Sequence, residues 1–131
     1  MINETHVRKW ILVALGVALL WMPLLAHHSF GDFYLESDSI EVEGVVVEFQ
    51  YRSPHAILMF TASDAEGQTR TYAAEWGNPN RLSRQGVTRD TLKPGDAVVV
   101  TGSPGRSATE YKVHLKGIRR PADGWSWRNR R

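Results

Sequence analysis

The feature that most constrains this chain is a period-two alternation of apolar and polar residues, running in short segments from Ile40 onward and interrupted once, at Asn78-Pro79. Within Ile40–Gln50 the apolar positions are Ile40 and Val42, then Val45, Val47 and Phe49. The alternation changes phase at Gly44, which predicts a β-bulge or sharp bend there. Residues 55–63 are apolar on both faces, as expected of a central strand whose outer face is covered. Asp64-Ala65-Glu66-Gly67 reads as a hairpin turn, and residues 68–76 return with Tyr72, Ala74 and Trp76 on one face. Asn78 then supplies an N-cap, Pro79 the first helical position and Gly86 a stop, which predicts a short helix over residues 79–85. Thr88 to Leu92 form a further short turn. Lys93-Pro94-Gly95-Asp96 turns into a buried strand over residues 97–102, and residues 111–118 make a fifth strand with Val113 and Leu115 facing one way.

Three meandering strands, a short helix and two more strands give the element order of an OB-like fold. The expectation is a mainly β domain: a small five-stranded, partly open barrel with one short helix between strands 3 and 4. An immunoglobulin-like sandwich asks for about seven strands and no helix at this place. The barrel is expected over residues 27–118. Residues 119–131 lack a barrel strand pattern and form a basic Trp/Arg-rich tail, either disordered or docked on the barrel through Trp125 and Trp127.

The first 26 residues are a different kind of sequence. Arg8 and Lys9 precede an unbroken apolar run from Trp10 to Ala26, the pattern of a secretory signal. Pro23 and the Leu24-Leu25-Ala26 stretch point to cleavage after Ala26, with an uncleaved anchor as the alternative. Either outcome places the domain outside the cytoplasm, as a periplasmic or secreted protein. Contact with a membrane is expected only if the signal is retained.

The chain has no cysteine. That excludes disulfides, thiolate nucleophiles, cysteine zinc sites and covalent c-type haem, and leaves the domain to its hydrophobic core. The pI near 9.2 conceals an asymmetry. Residues 27–118 carry nine Lys/Arg against twelve Asp/Glu, whereas residues 119–131 carry five Arg against Asp123. The basicity belongs to the tail and is not a nucleic-acid groove.

Chemistry concentrates at histidines. Cleavage after Ala26 would start the mature chain at His27-His28-Ser29-Phe30, and a terminal histidine offers one metal both its α-amine and its imidazole. A further imidazole can come from His28 or from His55, which Pro54 stiffens in the loop between the first two strands. The metal ligands expected are therefore His27, His28 and His55. An all-nitrogen set suits Cu(II), with Zn(II) or Ni(II) behind it. The opposing reading makes the paired histidines polar surface and His55 an ordinary turn residue. His114, between Val113 and Leu115, is expected to face away from the core at the surface. Glu75-Trp76 is either a rim feature or simply a packed Trp, while Glu41, Glu43 and Glu48 read as the solvated face of the first strand. No Ser-His-Asp spacing, phosphate loop or HExxH pattern appears. No catalytic residue is assigned, and a binding role is expected ahead of an enzymatic one.

His27-His28-Ser29-Phe30, Gly44, Pro54-His55, the Asp64 to Gly67 turn, Glu75, Pro79, Leu82, Gly86, the Leu92-Lys93-Pro94-Gly95-Asp96 turn, Val98, Val100 and Gly102 together resemble DUF6152, a family of small exported bacterial proteins of unknown function. The resemblance spans about residues 27–118. Ser53 departs from it, because the family pattern has Asn before Pro-His. The resemblance implies export and a small β domain, and it marks His27, His28 and His55 as residues to test. It brings no activity.

Two further functions compete with metal binding. One is an interaction module docking on an envelope protein through the barrel face or the Arg/Trp tail. The other is nucleic-acid binding with Tyr51, Phe60 and Tyr72 as stacking platforms, which the export signal and the acidic barrel oppose.

Overall fold

A computed structural model describes residues 29–129. The signal expected over residues 1–26, and with it His27 and His28, lies outside the described residues. A single helical turn, α1 (Phe30–Phe33), is followed by β1 (Ile40–Gln50), β2 (Ile57–Ser63), β3 (Thr69–Glu75), α2 (Pro79–Arg84), β4 (Ala97–Pro104), β5 (Lys112–Arg120) and β6 (Trp125–Arg128). The strands form one sheet in the order β3-β2-β1-β4-β5-β6, and an added β3–β5 pairing closes five of them into a barrel. Closure is parallel, with Ala74 opposite Val113 and Glu75 opposite His114. The barrel expected to be partly open is therefore closed, and a sixth strand lies outside it.

The phase change in β1 falls later than Gly44. Val42, Gly44 and Val46 continue one inward face, and Val46 is 2% exposed while Val45 and Val47 are 44% and 49% exposed. The register shifts between Val46 and Glu48, and this bulge returns Phe49 to the inside. Gly44 serves another need: a Cβ there would run into the Thr61 carbonyl and lie 2.6 Å from Phe60 Cδ2. The sequence pattern shows the break, but only the close approach of β2 reveals why the glycine precedes it.

β2 and β3 match their patterns. Leu58, Phe60 and Ala62 alternate into the core, with Leu58 opposite Ala74 and Phe60 opposite Tyr72. Asn78 caps α2 with its side chain accepting from the Asn80 N–H at 2.9 Å, and Leu82 on the helix is wholly buried. α2 thus plugs one end of the barrel with an aliphatic side chain, which fully removed from water contributes about 2 kcal/mol.

The tail is docked. β5 runs on to Arg120, Gly124 takes a positive φ, and β6 pairs back with Ile118 opposite Trp127. Trp127 meets Trp76 edge-on at 4.9 Å, and its indole N–H donates to Gln85 at 3.0 Å. Arg120 is consumed internally by Asp96, Asp123 and the Thr91 carbonyl. No strand signal is legible here because two alternating Trp in four residues make too short a period to read.

Candidate functional site

His55 stands on a tethered loop. Ala56, the next residue, exchanges backbone hydrogen bonds with Trp76 and Gly77 at 2.8 and 3.1 Å, and Asn78 donates to the Pro54 carbonyl at 3.3 Å. The imidazole Nδ1 lies 2.6 Å from Glu75 Oε1, and the Tyr34 hydroxyl donates to Glu75 Oε2 at 2.7 Å. Both carboxylate oxygens are thus engaged, and the His55 ring is oriented with Nε2 as its unengaged nitrogen among these contacts. Burial, the hydrogen bond and the nearby Glu75 charge, in that order, push the Tyr34 phenol well above its usual range. Tyr34 therefore stays protonated and keeps donating.

A second imidazole repeats this arrangement. His114 Nδ1 lies 2.7 Å from Glu36 Oε1, and Lys116 Nζ holds Glu36 Oε2 at 2.9 Å. Lys116 also donates to Ser103 Oγ at 2.6 Å, and that hydroxyl donates to the Asp38 carbonyl at 3.1 Å. Burial works against ionisation of Glu36, but hydrogen bonds from His114 and Lys116 outweigh it and hold the carboxyl below its usual range. Ser103 is fully buried with its proton committed to a carbonyl. It is a structural link, not a nucleophile.

Phe30 joins the two pairs. Its ring lies parallel to His114 with centroids 3.9 Å apart and planes 2° from each other, and it is 5.2 Å from the His55 ring. The turn that carries it is set by Ser29, whose hydroxyl accepts from the Gly31 N–H, and is clamped by Arg106 on the Gly31 carbonyl at 2.7 and 2.9 Å. Phe30, His55 and His114 line one cleft of about 220 Å³, with Trp76 and Leu82 behind them and Arg81 at its side. Arg81 is engaged by Asn129 at 2.9 Å. Trp76 Nε1 is buried with no hydrogen-bond partner.

The structure therefore places His55 in a built environment, and His27 and His28 fall outside the described residues, although Ser29 follows them directly. Among the described residues no three of His, Cys, Asp and Glu are grouped so as to hold a metal ion. His114 does face opposite Val113 and Leu115, but it is covered: its side chain is only 17% exposed. Glu75 is more than a rim residue, since it orients His55. Sequence reasoning missed Phe30, Tyr34, Glu36 and Lys116, whose roles depend on contacts with residues far away in the chain. Of the aromatics considered for base stacking, Phe60 is wholly buried and the Tyr51 hydroxyl is bonded to the Pro79 and Val87 carbonyls.

No curated protein and no solved structure matches this chain. Residues 15–114 match the family described as "Family of unknown function (DUF6152)", a span that takes in the paired histidines, Pro54-His55, Glu75 and His114. On that match, covering most of its length, the chain belongs to the DUF6152 family.

Proposed function

We propose that this is an exported, periplasmic domain that binds a divalent transition metal, Cu(II) ahead of Zn(II) or Ni(II), through His27, His28 and His55. The observation that carries the reading is the His55–Glu75 contact at 2.6 Å, with Tyr34 holding the other carboxylate oxygen. Metal-ligating histidines typically donate their second ring N–H to a carboxylate, which fixes the tautomer and makes the free nitrogen a better ligand. The contact of Phe30 with His55 supports the rest, because His27 and His28 precede it by three and two residues. Nitrogen ligands of this kind suit Cu(II) best among the common divalent metals.

Two measurements test it. Mass spectrometry of the protein isolated from its host should find His27 as the first residue; a retained signal removes the α-amine from the ligand set. Calorimetry with Cu(II) and Zn(II) should show tight binding that His27→Ala and His55→Ala each weaken. Affinity indifferent to both substitutions would end the proposal.

A second reading, an interaction module on an envelope protein, draws on the exposed Val45 and Val47 of β1. The tail is the less suitable docking element, since Trp127 and Arg120 are engaged within the domain. Pulldown with Val45→Thr/Val47→Thr beside a chain lacking residues 121–131 separates the two surfaces.

A further inference from the structure

We propose that the surface hollow between the end of α2 and β6 binds a phosphate group, carried on a small molecule or a lipid, through Arg84 and Arg128. The hollow has a volume of about 340 Å³ and is lined by Arg84, Gln85, Ser126, Trp127 and Arg128. It shares only Trp127 with the histidine cleft, so this site stands apart from the metal-binding reading. Its lining brings together two guanidiniums, an amide, a hydroxyl and an indole, and it includes no carboxylate. Among the described residues neither guanidinium has a hydrogen-bond or ion-pair partner.

Most Lys and Arg side chains of the domain are engaged. Arg70, Lys112, Lys116, Arg119 and Arg120 each meet a carboxylate, and Arg81 and Arg106 are held by Asn129 and the Gly31 carbonyl. The residue facing Arg128 across the β5–β6 ladder is Gly117, at a position where a glutamate would neutralise it. The negative end of α2 offsets part of the Arg84 charge, but β6 supplies no such field to Arg128. Trp127 fixes the strand beside the helix. Its indole N–H donates to Gln85 Oε1 at 3.0 Å, which leaves the Gln85 amide N–H₂ and the Ser126 hydroxyl as donors next to the two arginines. A phosphate oxyanion takes hydrogen bonds from such a donor set, and the planar guanidinium fork matches a pair of its oxygens. Small-molecule pockets begin at about 300 Å³, so the hollow has room for the carbon frame of an ester, with Trp127 as its apolar wall.

The test uses the purified full chain. Calorimetry with inorganic phosphate and glycerol 3-phosphate, beside co-sedimentation with phosphatidylglycerol and phosphatidylcholine vesicles, separates the two sources of the group. Arg84→Gln and Arg128→Gln should each weaken binding about ten- to a hundredfold, the loss expected for hydrogen bonds to a charged group. Melting temperatures should barely change, because both side chains are exposed. Arg89→Gln removes an exposed arginine outside the hollow and should bind as the parent does. Capture of the soluble ester assigns a small phosphorylated molecule, and sedimentation with the anionic vesicles alone assigns a lipid headgroup. An equal loss in Arg89→Gln reduces the effect to net charge and overturns the site, as does a failure of every probe to bind. Either result leaves the His55 reading untouched, since neither Arg84 nor Arg128 lines the histidine cleft.

Discussion

Glu75 and His114 sit opposite one another in the parallel β3–β5 ladder, the pairing that closes the barrel. One of these residues orients His55, and the other is the second imidazole of the cleft. Closure of the fold and assembly of the histidine pair are thus the same event, and what loosens the seam should loosen the site.

Glu75→Gln tests the orienting role. A glutamine can still accept from Tyr34, but its amide N–H₂ then faces His55 Nδ1 and pulls that nitrogen into the acceptor role. The proton moves to Nε2, the wrong tautomer for a metal ligand. The expected result is a Cu(II) affinity lowered about ten- to a hundredfold by calorimetry, with an unchanged far-ultraviolet circular dichroism spectrum.

Gly102→Ala tests the seam. A Cβ at this position would overlap the His114 carbonyl oxygen and lie 2.7 Å from Val113 Cγ1, and neither obstacle is the far end of a flexible chain. Urea denaturation should show a loss of about 3 kcal/mol, at the upper end for overpacked positions. Gly67→Ala makes the control: its φ of 77° is unfavourable but nothing lies within 4 Å, so the loss should be about 1 kcal/mol.

Acid should weaken the fold through Glu36. Its carboxyl is held below the usual range in the folded chain, so its contribution is present above the unfolded value of about 4.3 and fades as pH falls below it. Thermal melts between pH 6 and pH 3 should show this decline, and Glu36→Gln should flatten the part of it that Glu36 causes. A decline equally steep in that variant assigns the acid sensitivity elsewhere.

Trp127→Ala tests whether the tail belongs to the domain. The edge-on contact with Trp76 and the hydrogen bond to Gln85 would both be lost. Aromatic pairs contribute about 0.5–1.5 kcal/mol beyond the area they bury. A fall of about 2 kcal/mol in denaturant stability is expected, with a red shift of Trp76 emission as water reaches it.

The barrel was legible because its signals are local. Alternation marked β2 and β3, Asn78-Pro79 and Gly86 bracketed α2, and Pro94-Gly95 marked the turn into β4. The phase of β1 was misread at Gly44 because an inward glycine carries no hydrophobicity, so the run looked shifted two residues early. His55 stood out through the adjacent proline. His114 did not, since alternation reports only which face a side chain takes and not that Phe30, more than eighty residues earlier in the chain, covers that face. Tyr34, Glu36 and Lys116 were silent for the same reason: a carboxylate's partner across the fold leaves no mark in its own neighbourhood.

Ser29 caps the turn that seats Phe30 against two imidazoles, so one hydroxyl far from either histidine in the chain sets how both rings are packed. Ser29→Ala removes the acceptor of the Gly31 N–H, and a cap of this kind contributes about 1 kcal/mol. The His55 and His114 ring resonances should therefore shift together in that variant, with no atom of either ring altered.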